Sequence, residues 1–372
     1  MNILFLSYIP ISLCEEHVRT VAILRTLADA GHHIDLIAPH VELAPHLNIN
    51  IITKKNTHPN SKRNIQSLAL SNIKKTTYSA IHAVDETIFF AYRLTHLKKI
   101  PLVYDARRRF TGKSSQSTLR RYRFFTSYYN KKEKQLLKQA VCIFSSCPQL
   151  TSDLKTLHRD LPLIEIKDIP LQPLCTKKDP TPAKMRALFP TQPITSIVTC
   201  YALSKNSLRN LMLTVRKIID TLPTTGFFLQ TPHPEQAKKL AKSLDILDHC
   251  RFLEPDEPLP LISALSCANA VFYIPPENLR YIPQSLYTAL NVFNPLVVVQ
   301  NKAYESILTQ KTAHFVLSNP DSMATGLLDV LQEPLFSVSI ATEGQKLVRS
   351  KHTFSSFKHK LRMAYKKHIP PK

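Results

Sequence analysis

Apolar residues in this chain fall into short runs separated by longer stretches in which they recur every three or four positions. Asn2 to Ser7 is such a run and predicts a strand. From Glu15 to Ala30 the apolar positions Val18, Val21, Ile23, Leu24, Leu27 and Ala28 follow helical spacing, and Gly31 ends the helix. His33 to Ala38 then predicts a second strand. A helix between two strands carries the chain back to the starting edge, so the pair is parallel. The alternation continues with strands at 80–82, 101–104 and 141–144 and a helix at 88–97. These pieces make a doubly wound α/β domain.

Residues 162–193 hold seven prolines with little periodicity between them and predict a linker. A second series follows, with strands at 194–200, 226–230, 251–253, 270–274 and 296–300. Helices are expected at 208–221, 235–244, 259–268 and 285–291. The carboxyl end alternates the apolar Phe354, Phe357, Leu361, Met363 and Tyr365 with many cations and predicts an amphipathic helix. The expected division is 1–172, 173–345, and a crossover helix and tail at 346–372.

At 372 residues, two cores are expected. Hydrophobic residues are 44% and charged residues 20%, a balance that excludes a disordered chain. No apolar run reaches the length of a membrane span and the first residues lack the features of a secretion signal, so a cytoplasmic location is expected. Seven scattered cysteines without a Cys-x-x-Cys pair suit free thiols in a reducing compartment, and the 15 His do not cluster, so no metal is expected. Glycine is scarce, five residues where average usage of about 7% would give roughly 26. Lys and Arg exceed Asp and Glu by 49 to 27, a net +22 that calls for an anionic partner.

Four stretches, in order, carry a resemblance: "CEEHVRTVAILRTLADAGHHIDLIAP", "AIHAVD" with "IPLVYDAR", "HCRFLEPDEPLPLISALSCANAVFYIPPE" and "IPQSLYTALNVFNPLVVV". Together they resemble the retaining glycosyltransferases of family 4, over most of the chain. The resemblance implies a GT-B fold, α/β, with two Rossmann-like doubly wound domains facing a central cleft and a C-terminal helix crossing back to the first domain. It also implies a nucleotide-sugar donor held by the second domain, and a reaction needing neither metal nor other cofactor.

Residue by residue, the resemblance assigns Glu277 to the position facing the transferred sugar. Arg107 takes the strand-tip position on the acceptor side, and Lys205 and Arg209 the cations that offset the donor diphosphate. Thr288 stands where relatives carry the carboxylate that binds ribose, and Phe293 where they carry a glycine. Leu13 and Cys14 replace the Gly-Gly of the first loop, where Cβ atoms restrict the approach of backbone to a sugar diphosphate. Thr231, His233 and Glu254 likewise stand at glycine positions, while His82 and Asp85 occupy another strand tip on the acceptor side. A His at such a place is more often buried and bonded to backbone than a ligand.

Between Lys98 and Lys138 there are 13 Lys or Arg against two acids, a net +11, interleaved with aromatic residues. Arg108, Arg109, Arg120, Arg121, Arg123, Phe124 and Phe125 are the candidates for a membrane-facing surface. The same composition suits single-stranded nucleic acid or a plain solvated face. The resemblance favours the membrane, since it implies a lipid-linked acceptor. The resulting expectation is a transferase peripheral to the inner face of a membrane, moving a sugar onto an anionic glycolipid or polysaccharide precursor. A catalytically inactive GT-B protein serving as a binding or assembly module is the alternative, and a basic nucleic-acid-binding protein the second.

Overall fold

The computed structural model describes residues 1–12, 17–53, 62–108, 126–171, 187–189, 193–202, 204–253, 258–275 and 282–369, with only the backbone described at 126–130 and 258–261. The chain divides into two compact units. One comprises Met1–Leu13, His17–Asp168 and Phe354–Lys372, and the other Ile169–Thr353, together with residues 14–16.

In the first unit, the strands are β1 (Asn2–Leu6), β2 (Ile11–Ser12), β3 (His33–Ile37), β4 (Val41–Glu42), β5 (Ile49–Ile52), β6 (Ala80–Val84), β7 (Leu102–Ala106), β8 (Ala140–Ser145) and β9 (Leu163–Glu165). The helices are α1 (Val18–Asp29), α2 (Lys62–Lys75), α3 (Ile88–Lys98), α4 (Thr126–Leu137) and α5 (Pro148–Lys155). The main sheet is parallel, in the order β5-β3-β1-β6-β7-β8-β9. The chain winds outward from β1 to β5, then returns to lay β6 on the other side of β1. A ligand crevice in such a sheet lies at the carboxyl ends of the strands flanking that reversal, here β1 and β6.

α1 is buried on nearly every side, Arg19, Thr20 and Thr26 included, because the sheet lies on one side and a later helix covers another. That helix, at Phe354–His368, is numbered α13 below. Its buried stripe is Phe357, Leu361, Ala364 and Tyr365, and it packs on α1 and β8 within this unit. The expected return of the carboxyl end to the first domain is therefore observed.

The second unit contains β10 (Ser196–Ala202), β11 (Thr225–Gln230), β12 (Cys250–Leu253), β13 (Ala270–Ile274), β14 (Leu296–Val299) and β15 (His314–Val316). Its helices are α6 (Lys205–Thr221), α7 (Pro234–Ser243), α8 (Pro258–Cys267), α9 (Gln284–Asn291), α10 (Lys302–Glu305), α11 (Pro320–Gln332) and α12 (Pro334–Lys351). The sheet is parallel, in the order β12-β11-β10-β13-β14-β15, so its reversal lies between β10 and β13. Strand alternation splits the core between its two faces. Val198, Cys200 and Ala202 join Leu211 and Phe272 on one, while Ile197 and Tyr201 join Tyr273 and Leu286 on the other.

Sequence periodicity misses α2, whose buried stripe is only Ile65, Ala69 and Ile73. It also misses β9, because the first residues of the proline-rich stretch extend the sheet edge.

Scarce glycine has a structural counterpart. Gly31 ends α1 at φ +77°, with its N–H donating to Ala28 O at 3.0 Å and the His32 N–H to Leu27 O at 3.1 Å. The same left-handed terminal residue is supplied by Asp245 after α7 and by Phe293 after α9, at φ +54° and +68°. At Phe293 the helix-ending bonds run to Leu290 O at 3.4 Å and from Asn294 to Ala289 O at 3.3 Å. Two glycines sit instead where helices pack too closely for a side chain: a Cβ on Gly326 would lie 2.3 Å from Val316 and one on Gly344 2.6 Å from Leu290.

Candidate functional site

In the first unit, the carboxyl edge is crowded with charge. β6 is followed by Asp85, which adopts φ +47° and opens a single turn of tight helix, Asp85–Thr87, that leads into α3. The Thr87 hydroxyl donates to Val84 O at 2.8 Å and pins this turn to the strand end. Asp85 Oδ1 accepts from the Arg107 N–H at 3.2 Å, joining the tips of β6 and β7, and its Oδ2 lies 3.8 Å from Arg108 Nε. Burial raises the Asp85 pKa, opposed by the two arginines. Arg108 also pairs with Glu86 at 3.7 Å, and Lys62 reaches Glu86 at 2.5 Å.

Beneath this edge lies a buried network that the sequence reading did not identify. Arg19 Nε donates to Asp105 Oδ1 at 2.8 Å, and its Nη1 donates to Asp168 Oδ1 at 2.8 Å and to Ile166 O at 2.7 Å. Burial alone would raise the pKa of Asp105, but Arg19 and Arg107 outweigh it and hold the carboxyl below its ordinary value. At Asp168 burial wins over Arg19, its chief cationic neighbour, and the value rises. The available signal was an ionisable residue inside an apolar element: Asp105 within "LVYDA" and Arg19 within the apolar stripe of α1.

His82, one turn of pleat before the tip, is fully buried. Its Nδ1 shares a 2.6 Å hydrogen bond with the Tyr365 hydroxyl, and its ring stacks on Phe5 at 4.5 Å. Burial lowers its pKa to about 4, against a smaller opposing pull from Asp105. His82 therefore locks α13 to the sheet and offers no surface to a ligand. Arg107 turns inward, its guanidinium donating to the Thr20 hydroxyl on α1 and lying 3.7 Å from Asp105.

At the second unit's edge the arrangement differs. β10 leads into α6, whose N-cap Ser204 accepts from the Ser207 N–H while the Ser207 side chain answers the Ser204 N–H. Lys205 and Arg209, four residues apart and so on one helical face, are both exposed. No acid lies in the first turn, and neither cation makes an ion pair among the described residues. The positive end of the helix dipole adds to their field. At the end of β11, Gln230 is buried with its Oε1 lacking a hydrogen-bond partner among the described residues, and Thr231 beside it is buried too. The Thr231 hydroxyl accepts from the His233 N–H at 3.2 Å.

Thr288 is fully buried, and its hydroxyl accepts from the Leu171 N–H at 3.0 Å and donates to Gln284 O at 3.3 Å. Phe293 is 43% exposed, and the backbone turn of the expected glycine persists there without the glycine. Leu13, Cys14, Arg109, Arg120, Arg121, Arg123, Phe124, Phe125, Glu254 and Glu277 lie outside the described residues, as do Phe110 and Tyr122. Among the described residues there is no cluster of three His, Cys, Asp or Glu able to hold a metal ion, and no helix long and apolar enough to cross a membrane.

No protein-family model and no curated protein matches this sequence. Solved structures do. The chain superposes on sucrose-phosphate synthase from Thermosynechococcus elongatus with a TM-score of 0.74 at 13% identity, covering 98% of each chain. HepE from Anabaena, in complex with UDP and glucose, matches with a TM-score of 0.71 at 12% identity over 99% of this chain and 100% of that one. WaaG, a glycosyltransferase involved in lipopolysaccharide biosynthesis, matches at 0.70 and 12% identity over the full length of both chains. The fold is GT-B. At such identities the likeness is one of fold. The GT-B frame makes the carboxyl edges of both sheets, with Asp85 and Arg107 at one and Lys205 and Arg209 at the other, the places to look for substrates.

Proposed function

We propose that this GT-B protein is a glycosyltransferase that moves a sugar from a nucleoside-diphosphate donor to an anionic glycolipid or polysaccharide precursor. The observation that carries this reading is the start of α6, where two exposed cations without acidic partners among the described residues meet a helix N-terminus at the sheet reversal of the second unit. A diphosphate fits that field, and the unpartnered Gln230 Oε1 would accept a donor hydrogen from the nucleoside. HepE has been captured with UDP-glucose, which makes a UDP-sugar the first donor to try. In the proposed reaction the acceptor oxygen bonds to the anomeric carbon as the bond to the diphosphate oxygen breaks, with retention, and the acceptor's hydroxyl proton passes to the leaving diphosphate. Lys205 and Arg209 offset the charge left on the leaving diphosphate, and no metal is required. The acceptor hydroxyl is placed beside Asp85 and Arg107, Glu277 faces the sugar, and the basic stretch 98–138 brings the protein to an anionic membrane surface.

A catalytically silent GT-B protein is the competing reading, and the engaged hydroxyl of Thr288 favours it. Thermal shift and calorimetry against UDP, GDP, ADP, CMP and their sugars separate the two, since a ligand of the native state raises the melting temperature with concentration. A base-selective shift, lost on Arg209→Ala, supports the transferase. No shift at millimolar ligand with the protein folded overturns it.

A further inference from the structure

α2 presents a feature that the donor and acceptor assignments leave unused. Its outward face forms an open groove of about 460 Å³ lined by Arg63, Gln66, Ser67, Leu70, Ser71 and Lys74. The helix carries Lys62, Arg63, Lys74 and Lys75 and no acidic residue. Lys62 is paired with Glu86, whereas Arg63 and Lys74, one at either end of the groove, make no ion pair among the described residues. Eleven residues of helix set them ~16 Å apart. Between them, one helical turn from each other, stand the hydroxyls of Ser67 and Ser71, with Leu70 37% exposed beside them. The groove also connects to the sheet edge: Gln66 Nε2 donates to the Tyr8 hydroxyl at 2.9 Å, and Tyr8 lies two residues beyond the end of β1.

We propose that this groove is a subsite for an anionic oligosaccharide, holding the part of the acceptor that lies away from the hydroxyl receiving the sugar. This rests on the transferase reading for its role, but not for its chemistry. Two separated cations suit two acidic groups on an extended chain, the serines suit sugar hydroxyls, and Leu70 suits the apolar face of a pyranose ring. A bilayer surface is disfavoured, because a helix that lies in the interface carries several large apolar residues outward, and α2 exposes Leu70 alone among the described residues.

The test is binding of trigalacturonate, with maltotriose as the neutral control, measured by calorimetry on the full chain at low and physiological salt. Trigalacturonate should bind in preference to maltotriose, more weakly as salt rises. The double variant Arg63→Ser, Lys74→Ser should lose about tenfold or more in affinity. A control variant, Lys239→Ser with Lys242→Ser on α7, should bind as the wild type does. Equal binding by wild type and the α2 variant, or none by the wild type, overturns the proposal. So does a loss of binding to vesicles of equal parts phosphatidylglycerol and phosphatidylcholine with saccharide binding unchanged. Binding of the UDP, GDP, ADP and CMP sugars, measured on the same samples, separates the two hypotheses: a saccharide site with no binding of any of these donors leaves the groove standing and removes the transferase.

Discussion

The carboxyl edges of the two sheets handle charge in opposite ways. In the first unit, cations and anions are matched internally: Arg19 lies between Asp105 and Asp168, Arg107 meets Asp105 and Thr20, and Arg108 bridges Asp85 and Glu86. In the second unit, Lys205 and Arg209 are exposed at a helix start that has no acid in its first turn. Buried ions must be matched because desolvation penalises each of them by several kcal/mol. Exposed ions carry no such demand and remain available to a ligand. The first edge is thus a rigid, self-satisfied frame, and the second a place where an anionic ligand finds uncommitted charge.

The strongest way to break this comparison is at Arg19. Arg19→Met leaves two buried carboxylates without their guanidinium and should cost about 3–5 kcal/mol in a denaturant titration. Combining it with Asp105→Asn and Asp168→Asn should restore much of the loss. If Arg19→Met alone is neutral, the first edge is not held by its ions.

Next in size is the buried imidazole. Because burial lowers the His82 pKa from 6.5 to about 4, the unfolded chain binds a proton in this window that the folded chain does not. Stability contributed by neutral His82 is therefore intact above about 6.5 and falls as the pH drops toward 4, by on the order of 3 kcal/mol. His82→Gln, which keeps a hydrogen-bonding group near Tyr365, should remove this part of the pH dependence. An unchanged pH profile of unfolding would show that His82 is not the group responsible.

At the second edge the prediction reverses. Lys205→Ala with Arg209→Ala should shift unfolding free energy by no more than about 0.5 kcal/mol. The same pair should weaken binding of a UDP-sugar by about tenfold or more, about 1.4 kcal/mol, read by calorimetry. A large loss of stability with unchanged nucleotide binding would make the second edge structural like the first.

The smallest effect concerns turn conformation. Phe293→Gly relieves a left-handed backbone that disfavours a side chain and should stabilise by up to about 1 kcal/mol, while Gly31→Ala should destabilise by a similar amount. Thermal melts of the two variants moving in the same direction would contradict the reading of Phe293 as a substitute for glycine.

Much of the frame was legible in the residues. Strand runs such as Ala270–Ile274 and helical stripes such as Leu208, Leu211, Val215 and Ile218 are local patterns, and a βα alternation admits little besides a parallel sheet. The apolar residues from Phe354 to Tyr365 likewise announced an amphipathic helix, whose buried stripe is Phe357, Leu361, Ala364 and Tyr365 while Met363 is exposed. The candidate site was less legible. Lys205 and Arg209 could be placed at a helix start from sequence, but Thr288 could not be known to spend its hydroxyl on Leu171, 117 residues earlier in the chain. Arg19 is buried because α13 and the sheet enclose α1, contacts made by residues far from it in the chain.

The sequence by itself determined the alternation of the main strands and helices in each half, the parallel sense of the sheets and the chain's large positive charge, because periodicity and composition are properties of neighbouring residues. Only the tertiary structure decided which strands lie side by side, which charges are buried and matched, and which are left facing solvent. Those depend on contacts between residues far apart in the chain, where burial changes the energy of an ion by more than its own chemistry does.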